Sequence, residues 1–283
     1  MSKDVYPGAF QQLVFSGGGA RCFWHGGFLE AVAGPLDLAP QRVTGVSGGA
    51  LAAACYLGGR ERELLEIMGA KFQRNDSNTS LVDDEHGDGL TPHQRIYREV
   101  VRETLDPDAE ARVADGPGFQ VLVAFPPWRR HPRASTVPLT LAYGLDLWLR
   151  SSPYMRFTKL AGVRSELIDA REAARRGKLV DLICNAAVIP PVFNLEGWEG
   201  TKVVDGGLAC KAPQPEPDRG RTLVLLTRRF RNLPSHPDRV YAEVSDETHA
   251  DKLDFTDRSK IEATWRQGTE DGRRFLERHG IGA

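Results

Sequence analysis

Short apolar runs alternate along the chain with glycine turns and stretches of helical spacing. Gln12–Phe15 is a strand candidate that runs straight into Ser16-Gly17-Gly18-Gly19. From Phe23 to Val32 the residues Phe23, Gly27, Phe28 and Ala31 share one face at helical spacing, and Gly34-Pro35 ends the segment. Arg42–Val46 reads as a second strand, and residues 48–57 as an alanine-rich helix closed by Gly58-Gly59. Strand, glycine turn, helix, strand, tight turn and helix in succession predict a mostly parallel sheet with covering helices.

The rest of the chain adds elements of the same kind. Helical spacing continues over 60–71 and returns over 92–105 after a Thr-Pro start, with a polar loop over 73–91 between them. Residues 119–125 form a buried-type strand stopped by Pro126-Pro127, and 137–149 an apolar helix. A helix is predicted over 178–188 and a hairpin or short strand over 198–204, leading to Asp205-Gly206-Gly207. Thr222–Leu226 is a further core strand and 257–279 a terminal helix. With no internal repeat or linker-like tract, residues 1–283 are expected to form a single α/β domain.

Composition narrows the function. Apolar residues make up 41% of the 283 positions and charged residues 27%, as in a globular chain with a sizeable core. A formal net charge of -1 gives no global attraction for nucleic acid. The four cysteines, Cys22, Cys55, Cys184 and Cys210, include no CxxC pair, so neither a zinc site nor a thioredoxin-like motif is expected. The first residues lack the apolar stretch of a secretory signal, and no run approaches the roughly 20 apolar residues that span a bilayer. The expectation is a cytoplasmic protein that meets any lipid by peripheral contact.

Three glycine-containing segments carry chemistry. Gly45-Val46-Ser47-Gly48-Gly49 fits G-x-S-x-G between a strand and a helix, where a serine at a sharp turn needs small neighbours. The plainer reading is a turn with a helix-capping serine. Gly17-Gly18-Gly19-Ala20-Arg21 leaves the first strand at the end where sites in open α/β sheets gather, and successive glycine N–H groups can converge on an anion there. A dinucleotide fingerprint fails because Cys22 stands where its third glycine belongs, and no Lys-Ser or Lys-Thr follows in the register of a P-loop. Asp205-Gly206-Gly207 is by itself a turn, but an aspartate at a strand end can also take a serine proton. His236, His249 and His279 leave a Ser-His-Asp α/β-hydrolase esterase open, and His25-Gly26-Gly27 is similar to that fold's oxyanion motif.

Together these segments resemble the patatin-like phospholipase family: the glycine loop 17–21, the serine motif 45–49 and Asp205-Gly206-Gly207 stand in the family's order. Asn185-Ala-Ala-Val-Ile-Pro-Pro-Val-Phe193 and the late helix around Gly268 are also similar to family segments. The resemblance implies a three-layer α/β/α fold with a mostly parallel sheet and a Ser47–Asp205 catalytic dyad without histidine. It implies an oxyanion and substrate-binding set of Gly17, Gly18, Gly19, Arg21 and Gly48. The implied reaction is hydrolysis of lipid acyl esters, of the phospholipase A or lysophospholipase type, with no metal or organic cofactor. Cys22 departs from the family, which usually has glycine after the basic residue, and is expected to tighten or reshape the oxyanion loop. A non-catalytic lipid- or partner-binding protein of the same fold is the competing expectation.

Weaker signals remain. The apolar stretch 138–149 is read as a core helix, or as a lid or acyl channel. Trp128-Arg129-Arg130-His131-Pro132-Arg133 is a solvated basic loop able to meet a headgroup. The acidic run 83–88 does not follow the calcium-loop pattern.

Overall fold

A computed structural model of the chain describes residues 10–75, 89–126, 151–190, 192–195 and 197–281. The features expected at 83–88, 128–133 and 138–149 lie outside those residues. Strand β1 (Gln12–Phe15) is the middle of the sheet and all four of its residues are buried, which is why Leu13–Phe15 read as an apolar run, while the buried Gln12 amide donates to Asp218 and Thr222. It pairs in parallel with β2 (Arg42–Val46) on one side and with β8 (Thr222–Leu226) on the other. Outside these, β3 (Gly118–Phe125) pairs parallel to β2, and β9 (Arg239–Glu243) parallel to β8. An antiparallel strand, β4 (Arg164–Asp169), closes the edge beside β3. The result is a mixed α/β fold with a mostly parallel central sheet, as expected. A separate hairpin joins β5 (Gly197–Trp198) to β6 (Thr201–Lys202).

The strand alternation sorts the core. Leu13 and Phe15 face one side with Val43, Phe119, Val121, Leu223 and Leu225, and pack into the large core shared with the helices. Val14, Val224 and Leu226 face the other way, against Ala212 and Phe230. The helices are α1 (Phe23–Val32), α2 (Gly48–Gly58), α3 (Glu61–Phe72), α4 (Pro92–Thr104), α5 (Pro107–Asp115), α6 (Phe157–Leu160), α7 (Ala170–Arg175), α8 (Leu179–Asn185) and α9 (Arg258–Arg278). Several begin on side-chain caps: Thr91 accepts from Gln94 N–H, Asp106 from Ala109 N–H and Asp257 from Ser259 N–H. Each such cap is worth about 1 kcal/mol.

The closest helix pairing is α1 against α9. Trp24 stacks on Phe28 with ring centroids 4.8 Å apart, Phe28 meets Phe275, and the Trp24 indole N–H donates to Asp271 at 2.9 Å. A Cβ on Gly272 would lie 2.7 Å from that of Ala31, so glycine here lets the helices approach and offsets its poor helix propensity.

His25 sits in this layer, wholly buried, with its ring edge-on to Phe15 at 5.3 Å. Burial lowers its pKa to about 3 from an unperturbed 6.5. Below pH 6.5 the unfolded chain therefore binds a proton that the folded chain refuses, so stability falls as pH drops from 6.5 towards 3. The expected slope from this one group is about 1.4 kcal/mol per pH unit. Urea titrations at successive pH values measure it, and His25→Phe should flatten the curve in that window. An unchanged slope in the variant would assign the acid sensitivity to other groups.

Candidate active site

The nucleophile candidate is built by a turn that only its surroundings tolerate. β2 ends at Val46, α2 begins at Gly48, and Ser47 joins them at φ 56° and ψ -136°, a strained conformation for a residue with a Cβ. Ser47 occupies the N-cap position, yet its side chain makes no cap hydrogen bond. Instead its hydroxyl donates to Asp205 Oδ2 at 2.7 Å. The capping reading of this serine is thereby set aside; Ala50 N–H donates to the Ser47 carbonyl at 2.8 Å, and the Gly48 N–H at the very start of α2 makes no backbone hydrogen bond among the described residues.

Asp205 arrives through the sheet. The short strand β7 (Val204–Asp205) pairs antiparallel with β3, placing Asp205 opposite Val123. On that same strand Leu122 is opposite Val46 of β2. The other edge of β3 is taken by β4, so β7 lies just past the end of β2, where Ser47 leaves it. Two residues 158 positions apart are thus brought together by sharing one neighbour strand. Asp205 N–H donates to the Val188 carbonyl at 2.8 Å, and Gly207 N–H donates to Asp205 Oδ1 at 2.7 Å. Ser47 is 3% exposed and Asp205 2%, so the pair is withdrawn from bulk water.

The glycine loop divides its work. Gly17 is fully engaged: its N–H donates to the Lys211 carbonyl at 3.0 Å, and its carbonyl accepts from the Thr227 hydroxyl at 2.9 Å. Gly17 therefore braces the loop and has no N–H to offer an oxyanion, contrary to the sequence expectation. Among the described residues, the N–H groups of Gly18, Gly19 and Gly48 make no backbone hydrogen bond. Gly19 has φ 59°, and a Cβ there would run into the Lys252 carbonyl. A Cβ on Gly48 would lie 2.8 Å from the Gly19 carbonyl oxygen. The loop and the start of α2 are in contact because both are glycine.

Arg21 does not enter the space beside Ser47. It lines a polar groove of about 410 Å³ together with Thr227, Arg228, Arg229, Asp246, Glu247 and Asp251. Ser47 instead opens onto a narrow apolar cavity of about 50 Å³, walled by Leu51, Leu64, Met68, Tyr97, Phe193 and Phe255 among others. Cys22 adopts helical backbone angles, φ -69° and ψ -10°, that need no glycine. Its thiol donates to the Ser16 carbonyl at 3.5 Å, and burial pushes its pKa up, with the nearby Asp205 charge adding to the effect. Its side chain is buried and lines the cavity beside Ser47.

No described histidine is hydrogen-bonded to Ser47 or Asp205. His236 accepts from Asp238 N–H at 3.2 Å, His249 is exposed, and His279 closes α9 against the Phe275 carbonyl at 2.8 Å. His25 lies in the core between Phe15 and Trp24, so the resemblance of 25–27 to an oxyanion motif has no counterpart in space. Sequence reading missed Thr227, Lys211, Tyr97 and Lys252. Thr227 had a signal, since it follows β8 at the same sheet end as the glycine loop. Lone residues in loops, such as Lys211 and Lys252, carried none.

A serine at a strained strand–helix turn, bonded to a buried aspartate beside glycine N–H groups without backbone partners and an apolar cavity, is an arrangement suited to acyl transfer. The chain matches the family model described as patatin-like phospholipase over residues 13–216 and belongs to that family. The family is one of lipid acyl hydrolases, and membership implies ester hydrolysis for the chain at that level. Among solved structures the chain is similar to VipD from Legionella pneumophila, at 10% identity and a TM-score of 0.45, covering 96% of this chain and 67% of that one. No curated protein matches the chain. Residues beyond the family match remain integral to the fold, because β8 is a direct neighbour of β1.

Proposed function

We propose that the protein cleaves acyl esters of lipids as a single-domain phospholipase A or lysophospholipase, with Ser47 as nucleophile and Asp205 as its only base. The observation that carries this is the 2.7 Å hydrogen bond from Ser47 to Asp205 at the edge of an apolar cavity. Ser47 Oγ attacks the ester carbonyl carbon and its proton passes to Asp205. The carbonyl oxygen becomes an oxyanion facing the N–H groups of Gly18, Gly19 and Gly48, each donor of this kind being worth about 3 kcal/mol of barrier. Collapse breaks the bond to the alcohol, which leaves with the proton held by Asp205. Water then attacks the acyl-serine, Asp205 accepts the water proton, and a second collapse frees the fatty acid and returns the proton to Ser47. No metal or organic cofactor takes part. The lipid substrate is reached by peripheral contact with its surface.

One observation favours a second reading. The cavity of about 50 Å³ is far below the roughly 300–1,000 Å³ of ordinary ligand pockets, so an acyl chain enters only if the walls move apart. A protein that keeps this cavity shut would bind a lipid or a partner without turnover. Incubation with a long-chain fluorophosphonate, followed by peptide mapping, separates the two. The enzyme reading expects stoichiometric labelling on Ser47 together with fatty-acid release from phospholipid or lysophospholipid vesicles. An unlabelled, correctly folded protein that releases no fatty acid would leave only the binding reading.

A further inference from the structure

Six residues beyond Asp205 the fold buries a lysine that the proton transfers above do not use. Lys211 is 7% exposed, and a buried ammonium costs several kcal/mol unless an opposite charge offsets it. Its backbone is fixed on both sides: the N–H donates to the Pro153 carbonyl at 2.7 Å, and the carbonyl accepts from Gly17 N–H at 3.0 Å. The side chain is thereby delivered to the Asp205 side of the glycine loop. A Cβ on Gly207 would lie 2.9 Å from Asp205 Oδ1 and 3.0 Å from Lys211 Nζ. The two charges therefore stand within about 6 Å of each other, the range in which an opposite charge favours the ionised form.

We propose that Lys211 is a positioning residue of the dyad, its side chain serving as the counter-charge held beside the buried Asp205 carboxylate that faces Ser47. The inference rests on the dyad reading above. The other groups facing this pair are Arg21 and Cys22 of the glycine turn, Arg228 after β8 and Tyr97 of α4, with Lys252 acting on Cys22. Burial pushes the Lys211 ammonium below the ordinary lysine value, the Asp205 charge holds it up, and Arg228 and Arg21 push it down again. Asp205 is the opposite charge that acts most strongly in favour of the ammonium in this set. Lys211 does not line the apolar cavity, so the effect falls on proton transfer and not on acyl-chain binding.

The test is the pH dependence of kcat/KM for a soluble p-nitrophenyl acyl ester in the wild type, Lys211→Met and Lys211→Arg, each checked for folding by circular dichroism. Fluorophosphonate labelling of wild-type Ser47 is measured alongside. Lys211→Met removes the charge at similar volume and leaves both backbone hydrogen bonds, so its acid limb should move up by about 1 to 3 pH units. Lys211→Arg should keep the limb near its wild-type position, with KM little changed in either variant. A limb that stays in place in Lys211→Met overturns the inference even if the rate falls, as does an equal shift in both variants. If neither variant folds, the wild-type profile decides. A limb above about pH 6 contradicts a carboxylate backed by a cation, and one in the ordinary carboxylate range supports it. Absence of Ser47 labelling in the wild type is a different failure: it removes the dyad itself.

Discussion

Replacing Ser47 by alanine is expected to lower kcat/KM for ester hydrolysis by at least about 10³-fold, a barrier increase of about 4 kcal/mol, while the fold persists. The loss is large because no described hydroxyl shares the contact with Asp205; what survives is the background from bound substrate and the free N–H groups. Stability responds separately. Alanine leaves Asp205 Oδ2 buried without its donor, a cost of about 1 to 3 kcal/mol. It also keeps a Cβ at φ 56°. Ser47→Gly loses the same hydroxyl but relieves that strain, so it should unfold in urea about 1 kcal/mol later than Ser47→Ala. Equal stability of the two would mean that the turn is not strained. Retention of more than about a tenth of wild-type activity in Ser47→Ala would move the nucleophile elsewhere.

Residues 12–58 were legible almost to the residue, because glycine turns punctuate them and Leu13–Phe15 form an apolar run. Elements at the periphery were not. Strands β4 and β9 lie at the two edges of the sheet, carry arginine and glutamate, and are mostly half-exposed or exposed, so they have no apolar run to announce them. Helix α5 starts at Asp106-Pro107, which reads as easily as a turn as it does as a cap followed by a proline at the first helical position. Ser47 and Asp205 could be nominated from their glycine neighbours, but their contact depends on the pairing register of β7 against β3, which no local pattern encodes. The same limit explains the two corrections. Gly17 and Arg21 belong to the right loop, yet which N–H is already taken and which way a side chain turns are decided by Lys211, Thr227 and the groove beyond them.

Asp205→Asn tests the other half of the dyad with little structural change. The amide keeps an oxygen for Gly207 N–H, and the β7 pairing is made by backbone, so the strand end should hold. What is lost is the capacity to take a proton: the amide nitrogen that replaces Oδ2 donates towards Ser47 instead of accepting from it. General-base assistance is worth about 10² to 10⁴ in rate, so kcat/KM should fall by about 10³-fold, and raising the pH to 9 should not restore it. Replacing His236, His249 and His279 in turn should leave the rate nearly unchanged, because each is held away from the pair. The variants are best read as a cycle. A base without its nucleophile has no proton to accept, so Ser47→Ala/Asp205→Asn should be no slower than the slower single variant. Losses that multiply instead would mean that the two residues act independently, and the 2.7 Å contact would then be structural alone.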